Sequence, residues 1–243
     1  MTKLAITHLT AGYGKLEILH DLSLGVEAGK FVGILGPNGS GKSTLLKSIF
    51  GLTTIFSGTI QIGTQSGPLE LQSLPTETIG AKGLAYVPQR ENVFASLSVR
   101  ENLQLTMRNL TRTASEERLQ AAYTLFPILR QRLTQRAGSL SGGERQMLAI
   151  ALGWLPQPQI MLLDEPSAGL SPKFVGEVFR TLQQLAQAGM TLVVVEQNAR
   201  SLLRWCDYAY LLREGQLALQ GSANALLADE ETVKNYLGVM GQV

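Results

Sequence analysis

The 243-residue sequence holds one cysteine, Cys206, and two histidines, His8 and His20. No internal disulfide can form and no cysteine-built metal cluster is available, which fits a reducing compartment. Charge is sparse, at 16% of residues with a formal net charge of +2. That excess is too small to argue for a nucleic-acid partner. No apolar run approaches the ~18 residues that a membrane-spanning helix needs. The opening stretch, MTKLAITHLT, lacks the continuous apolar segment of a secretory signal. Repeats and low-complexity tracts are also missing. The remainder, 44% hydrophobic with 25 glycines, predicts a chain with a sizeable core. It is either soluble or docked on a membrane protein from the cytoplasm.

The glycines are not evenly spread. Gly36-Pro37-Asn38-Gly39-Ser40-Gly41-Lys42-Ser43-Thr44 fits G-x-x-x-x-G-K-[ST], the Walker A phosphate loop. The apolar run Phe31–Leu35 before it reads as a buried strand. Leu45, Leu46, Ile49 and Phe50 behind it recur at helical spacing. The glycines let the backbone curl until successive N–H groups point inward as a nest for phosphate oxygens. The helix start adds a positive dipole end. In this context Lys42 reaches the β- and γ-phosphates of a nucleotide and Ser43 holds Mg²⁺.

Around this loop the pattern alternates between strands and helices. Residues 3–9 and 16–26 read as short antiparallel strands, with Tyr13 on the turn between them. Residues 58–63 form a further strand, and 63–80 a loop with one short helix near 76–80. Residues 83–88 form a buried strand ending at Gln89. From Val99 to Leu155 the pattern is helical. Leu103, Leu105, Met107 and Leu110 share one helix. Leu119, Ala122, Tyr123 and Phe126 share a second, interrupted or ended by Pro127. Strand 160–163 leads into Asp164-Glu165. Pro172 starts a helix that Gly189 closes, 191–195 is a central parallel strand, 208–219 a hairpin, and 223–237 a C-terminal helix. This alternation implies a parallel α/β sheet.

Asp164 stands where a carboxylate at a strand's C-terminal edge holds Mg²⁺, the Walker B position. Glu165 next to it is placed to act as general base on the attacking water. The alternative is a helix-capping or surface pair of acids. Leu140-Ser141-Gly142-Gly143-Glu144-Arg145-Gln146 puts a serine and two glycines at the start of an apolar helix, where exposed N–H groups bind anions.

In this order, GPNGSGKST, the glutamine of YVPQ, LSGGERQ and MLLDEP resemble the ATPase subunit of an ABC transporter over nearly the whole chain. The resemblance implies a RecA-like P-loop NTPase core with an antiparallel β-subdomain and an α-helical subdomain. The divisions fall at 1–91 for the β-subdomain and Walker A half, 92–156 for the helical subdomain with the signature string, and 157–243 for the second half of the core. It also implies a sandwich of two such subunits around two ATP molecules. Tyr13 then stacks on adenine, Gln89 touches Mg²⁺ and senses the γ-phosphate, and Ser141, Gly142 and Gly143 contact a γ-phosphate across the interface.

Two positions depart from the family's pattern. Gln197 stands where the switch histidine is usual, and Ser171 replaces the aspartate of the loop after Walker B. Neither His8 nor His20 can substitute, since both precede Walker A. A glutamine amide supplies N–H donors without a titratable proton. Gln197 is therefore expected to hold the γ-phosphate by hydrogen bonding, unless it only caps the next helix. Glu196 is expected to face the opposite way.

VEQNA, SAGLSP and the ending NYLG resemble one ATPase type of the branched-chain amino acid importers; relatives of that type import urea, short amides or neutral amino acids. The resemblance implies a second ATPase subunit, usually a different chain with a homodimer as the alternative. It also implies two transmembrane permease subunits and, indirectly, a substrate-binding protein, at the cytoplasmic face of the inner membrane. Val93 and Phe94, an apolar pair in a polar loop, are expected to dock the permease or to tuck under the helical subdomain. The competing readings are an ABC exporter ATPase and a soluble ABC ATPase of translation or repair. A GTPase is disfavoured because no N-K-x-D string is present.

Overall fold

The computed structural model describes residues 2–108 and 110–229. In chain order the elements are β1 (Thr2–Tyr13), β2 (Leu16–Glu27), β3 (Phe31–Leu35), α1 (Lys42–Ile49), β4 (Thr54–Thr64) and β5 (Gly67–Glu70). Next come α2 (Thr76–Ile79), β6 (Leu84–Val87), α3 (Val99–Thr106), α4 (Arg112–Leu125), α5 (Pro127–Gln131) and α6 (Gly142–Trp154). The chain continues through β7 (Ile160–Asp164), α7 (Pro172–Gln187), β8 (Thr191–Glu196), α8 (Ala199–Leu203), β9 (Tyr208–Arg213), β10 (Gln216–Ser222) and α9 (Ala223–Ala228).

Two sheets result. One is antiparallel, in the order β2-β1-β4-β5. The other runs β10-β9-β3-β8-β7-β6, parallel from β9 to β6 with β10 as an antiparallel edge. Side chains on the central strands alternate between two cores, as the two-residue strand period requires. Val32, Ile34, Ile160, Leu162, Val193 and Val195 pack with α1 and the antiparallel sheet. Phe31, Leu35, Met161, Leu163, Leu192 and Val194 pack with α3 to α7. The parallel sheet is therefore covered on both faces, which explains its unbroken apolar strands. Helices α3 to α6 lie between β6 and β7 in the chain. The fold is the expected α/β class with mixed sheets.

Several boundaries differ from the expected ones. Tyr13 is the last residue of β1, paired with Leu16, so the turn is Gly14-Lys15 alone. Strand β5 interrupts the expected loop 63–80; its four residues include Pro68, which a short edge strand tolerates. Helix α3 ends at Thr106, short of Leu110. Pro127 begins a helix, at the first-turn position that needs no N–H. Of the expected C-terminal helix, α9 covers Ala223–Ala228; its continuation to 237 and the NYLG string lie outside the described residues.

Candidate nucleotide site

The site sits at the carboxyl ends of β3, β6, β7 and β8, where parallel α/β sheets present their loops. Strand β3 delivers the chain into the Gly36–Gly41 loop. Gly39 and Gly41 adopt φ of 79° and 96°, a left-handed conformation that glycine takes without strain. A Cβ at Gly36 would stand 2.3 Å from the Leu212 carbonyl oxygen. Gly41 is the N-cap of α1 and supplies no side-chain cap, so the first-turn amides stay open. Ser40 Oγ is buried without a hydrogen-bond partner among the described residues. Open amides and an orphaned hydroxyl in one loop fit an anion bearing several oxygens.

Lys42 is 4% exposed. Its ammonium donates to the carbonyls of Gly36 at 2.8 Å and Pro37 at 3.0 Å and lies 3.9 Å from Glu165 Oε1. Burial lowers its pKa, against the pull of Glu165 and Asp164. Ser43 donates its hydroxyl to Asp164 Oδ1 at 2.9 Å, and Tyr86 donates to Asp164 Oδ2 at 3.3 Å. Burial raises the Asp164 pKa, opposed by the Ser43 hydrogen bond. A hydroxyl and a carboxylate in contact offer adjacent oxygen ligands, the donor set that a hard divalent cation prefers.

Glu165 is the centre of a cluster that no spacing in the sequence announces. Its φ is 46°, left-handed for a non-glycine residue, and its N–H is fixed by the Val195 carbonyl at 3.0 Å. The carboxylate accepts from Gln197 Nε2 at 2.8 Å and 2.7 Å and from Gln89 Nε2 at 2.7 Å. The loop after β6 and the loop after β8 thus converge on one carboxylate. The cap of α8 is Asn198, whose side chain accepts from the Ser201 N–H, so Gln197 does not serve as that cap. Glu196 lies 3% exposed and accepts from the Ser167 N–H at 2.9 Å, with the Gln197 backbone N–H also favouring its ionised form.

The signature string forms a second locus. Ser141 caps α6 through a capping box: its hydroxyl accepts the Glu144 N–H, and the Glu144 carboxylate accepts the Ser141 N–H. Gly142 is exposed, while Gly143 is buried, with a hypothetical Cβ only 2.1 Å from the Phe174 ring. No hydrogen bond among the described residues joins this helix start to the phosphate loop. Tyr13 is 42% exposed with the Lys47 ammonium 5.9 Å from its ring centroid. Val93 is half-buried and packs against the core of α3 to α7, in keeping with the alternative that it tucks under the helical subdomain. Phe94 stays 61% exposed, its backbone clasped by the buried Asn102 side chain.

A family model described as ABC transporter matches residues 19–168, which include the phosphate loop, the signature helix and the Asp164-Glu165 pair. The chain belongs to the ABC transporter family. It is an ABC ATPase. It is 44% identical to the probable branched-chain amino acid transport ATP-binding protein LivF of Archaeoglobus fulgidus, over 96% of this chain and 97% of that one. It is 39% identical to the high-affinity branched-chain amino acid transport ATP-binding protein BraG of Pseudomonas aeruginosa, over 97% and 99%. Identity to the Escherichia coli lipopolysaccharide export ATP-binding protein LptB is 32%, over 98% of each. The crystal structure of a nucleotide-free ATP-binding cassette from an ABC transporter superposes with a TM-score of 0.82 at 25% identity, covering 100% of both chains. No helix among the described residues of this ABC ATPase is long and apolar enough to cross a membrane.

The sequence strings located the phosphate loop, Asp164, Glu165 and the signature helix. They passed over Tyr86, whose hydroxyl reaches Asp164, and the Glu196–Ser167 contact. The S-x-x-E spacing of Ser141 and Glu144 was available as a capping-box signal.

Proposed function

We propose that this chain is the ATP-hydrolysing subunit of an ABC importer for branched-chain or neutral amino acids. The near full-length identity to LivF and BraG supports this reading, since it exceeds the identity to LptB by 12 and 7 percentage points. The chain works at the cytoplasmic face of the inner membrane beside two permease subunits that pass the solute received from a substrate-binding protein. A second ATPase subunit, of a different chain or of this one, closes the sandwich. Phe94 is the side chain offered to the permease.

The loop amides and Lys42 hold the β- and γ-phosphates, and the Lys42 ammonium exchanges its contacts with the Gly36 and Pro37 carbonyls for phosphate oxygens. Tyr13 stacks on the adenine. Ser43, Asp164 and Gln89 would hold Mg²⁺, which screens phosphate charge when bound. Glu165 takes the proton of the water that attacks the γ-phosphorus as the bond to the ADP oxygen breaks. Two amides hold its carboxylate in a fixed orientation, so Gln197 and Gln89 act on the base as well as on the phosphate. Ser141, Gly142 and Gly143 complete the partner's site across the interface.

The test is uptake of labelled leucine, proline, glutamate and urea by proteoliposomes carrying the whole transporter. Leucine uptake with ATP is expected. Lys42→Ala should abolish both uptake and ATP turnover, because the phosphates lose their main cation. Uptake of urea alone, or parent-rate turnover in the variant, would overturn the reading.

A further inference from the structure

The signature helix α6 carries a charge that works against its own task. Glu144 is needed as a cap, because its carboxylate accepts the Ser141 N–H at 2.9 Å and so fixes the first turn. The Ser141 N–H and, behind it, the Arg132 guanidinium hold that carboxyl below its ordinary pKa, so it is ionised at neutral pH. An anionic carboxylate thus stands three residues from the helix start that has to meet a partner's γ-phosphate. Unscreened, it would repel that phosphate.

The structure supplies a counterion from another helix. Arg132, the residue capping the end of α5, donates Nε–H to Glu144 Oε1 at 2.9 Å. The Glu144 side chain is only 12% exposed, and the Arg132 side chain 44%. One carboxylate oxygen therefore faces Ser141 and the other faces Arg132. The Ser141 hydroxyl oxygen accepts the Glu144 N–H, while its hydrogen is drawn to the Glu144 carboxylate, so that donating to a phosphate means turning this O–H outward. The Gly142 and Gly143 amides belong to the first turn of α6, which has no intrahelical partner for its N–H groups.

We propose that Arg132 is a positioning residue for ATP turnover: it neutralises and orients Glu144, so that Ser141 and the two glycines present donors to the partner's γ-phosphate without a competing negative charge. This rests on the cross-interface reading of Ser141 given above. Arg132 acts through Glu144 and does not itself touch nucleotide. Losing the guanidinium leaves the capping box intact but exposes a full negative charge at the interface.

The experiment measures ATP turnover and KM in the assembled transporter for Arg132→Ala, Glu144→Gln and the double variant, at low and high salt. Ser141→Ala serves as a reference, and ATP binding to each isolated chain as a control. Arg132→Ala should lower turnover roughly tenfold, the effect of one unit charge about 12 Å away at an effective dielectric of about 20. The loss should shrink at high salt, since exposed charges are screened there. Glu144→Gln keeps an oxygen acceptor for the Ser141 N–H and removes the charge. Added to Arg132→Ala, it should restore turnover to within about twofold of the parent, while ATP binding by the isolated chain stays unchanged throughout. A double variant as slow as Arg132→Ala would overturn the proposal, as would a salt-independent loss. If Ser141→Ala also turns over at the parent rate, the cross-interface reading falls. If Ser141→Ala is slow while Arg132→Ala is normal, only the role of Arg132 falls.

Discussion

Glu196 makes a pH-dependent contribution to stability whose sign and size follow from its surroundings. It is 3% exposed, and burial pushes its pKa up from 4.5 to about 7, even though the Ser167 N–H favours the ionised form. The neighbouring Glu165 carboxylate pushes in the same direction as burial. Between pH 4.5 and 7 the native state holds this proton while the unfolded chain releases it. The unfolded state then binds fewer protons, so the free energy of unfolding falls as pH rises through that window. The stability is fully present below pH 4.5, is lost by about pH 7, and does not change further above. At 1.36 kcal/mol per pH unit the interval sets a ceiling of about 3 kcal/mol. Glu196→Gln keeps an acceptor for Ser167 and removes the titration. An amide accepts fewer of the Ser167 and Gln197 donors than the carboxylate does, which adds a pH-independent cost of about 1–3 kcal/mol. Urea unfolding of the isolated parent and variant should be measured at half-unit steps from pH 4.5 to 8.5. The difference in unfolding free energy should shift by up to about 3 kcal/mol in favour of glutamine, with most of the change between pH 5 and 7. A difference that stays flat across that range would refute the reasoning.

Three further outcomes are expected. Glu165→Gln should retain ATP and slow its hydrolysis about 10²–10⁴-fold, the usual contribution of a general base; a nucleotide-dependent dimer with the partner ATPase should accumulate on size exclusion, and monomer alone would count against both the base role and the sandwich. Gln197→Ala should lose turnover in the assembled transporter, while Gln197→His keeps it near pH 8 with a new dependence around the histidine pKa of about 6.5; an alanine variant at the parent rate removes the role. Gly143→Ala drives a methyl into the Phe174 ring, so the variant should lose about 1–3 kcal/mol of stability by overpacking, read from urea midpoints, and transporter turnover with it.

The legible parts of this protein were those built from contiguous residues. The phosphate loop could be read because its glycines, lysine and serine act within one turn of backbone. The central strands could be read because both of their faces are apolar. Strand β5 was hidden because four residues with a proline carry almost no periodic signal. The end of α3 was missed because apolar residues continue past Thr106 into a turn closed by Met107. Tyr13 reads as a turn residue because Gly12 and Gly14 flank it, yet Gly12 stays in register with Glu17. The Gln89–Glu165–Gln197 cluster spans separations of 76 and 32 residues, and only the strand order β8-β7-β6 brings its members together.

Strand β7 ends at Asp164 and Glu165 follows directly, and a continued strand would send the two carboxylates to opposite sides of the sheet. The left-handed conformation of Glu165 cancels that alternation. Asp164 keeps the strand's direction and meets Ser43, while the reversed step turns Glu165 back to lie beside Lys42. The doubled acid at the nucleotide edge is therefore a property of one dihedral angle as much as of two side chains. Any change that let this residue relax to an extended conformation would swing the second carboxylate toward the face that Met161 and Leu163 share with the helices. An intact Asp-Glu pair in a related sequence thus says little about its chemistry until the backbone beneath the glutamate is known.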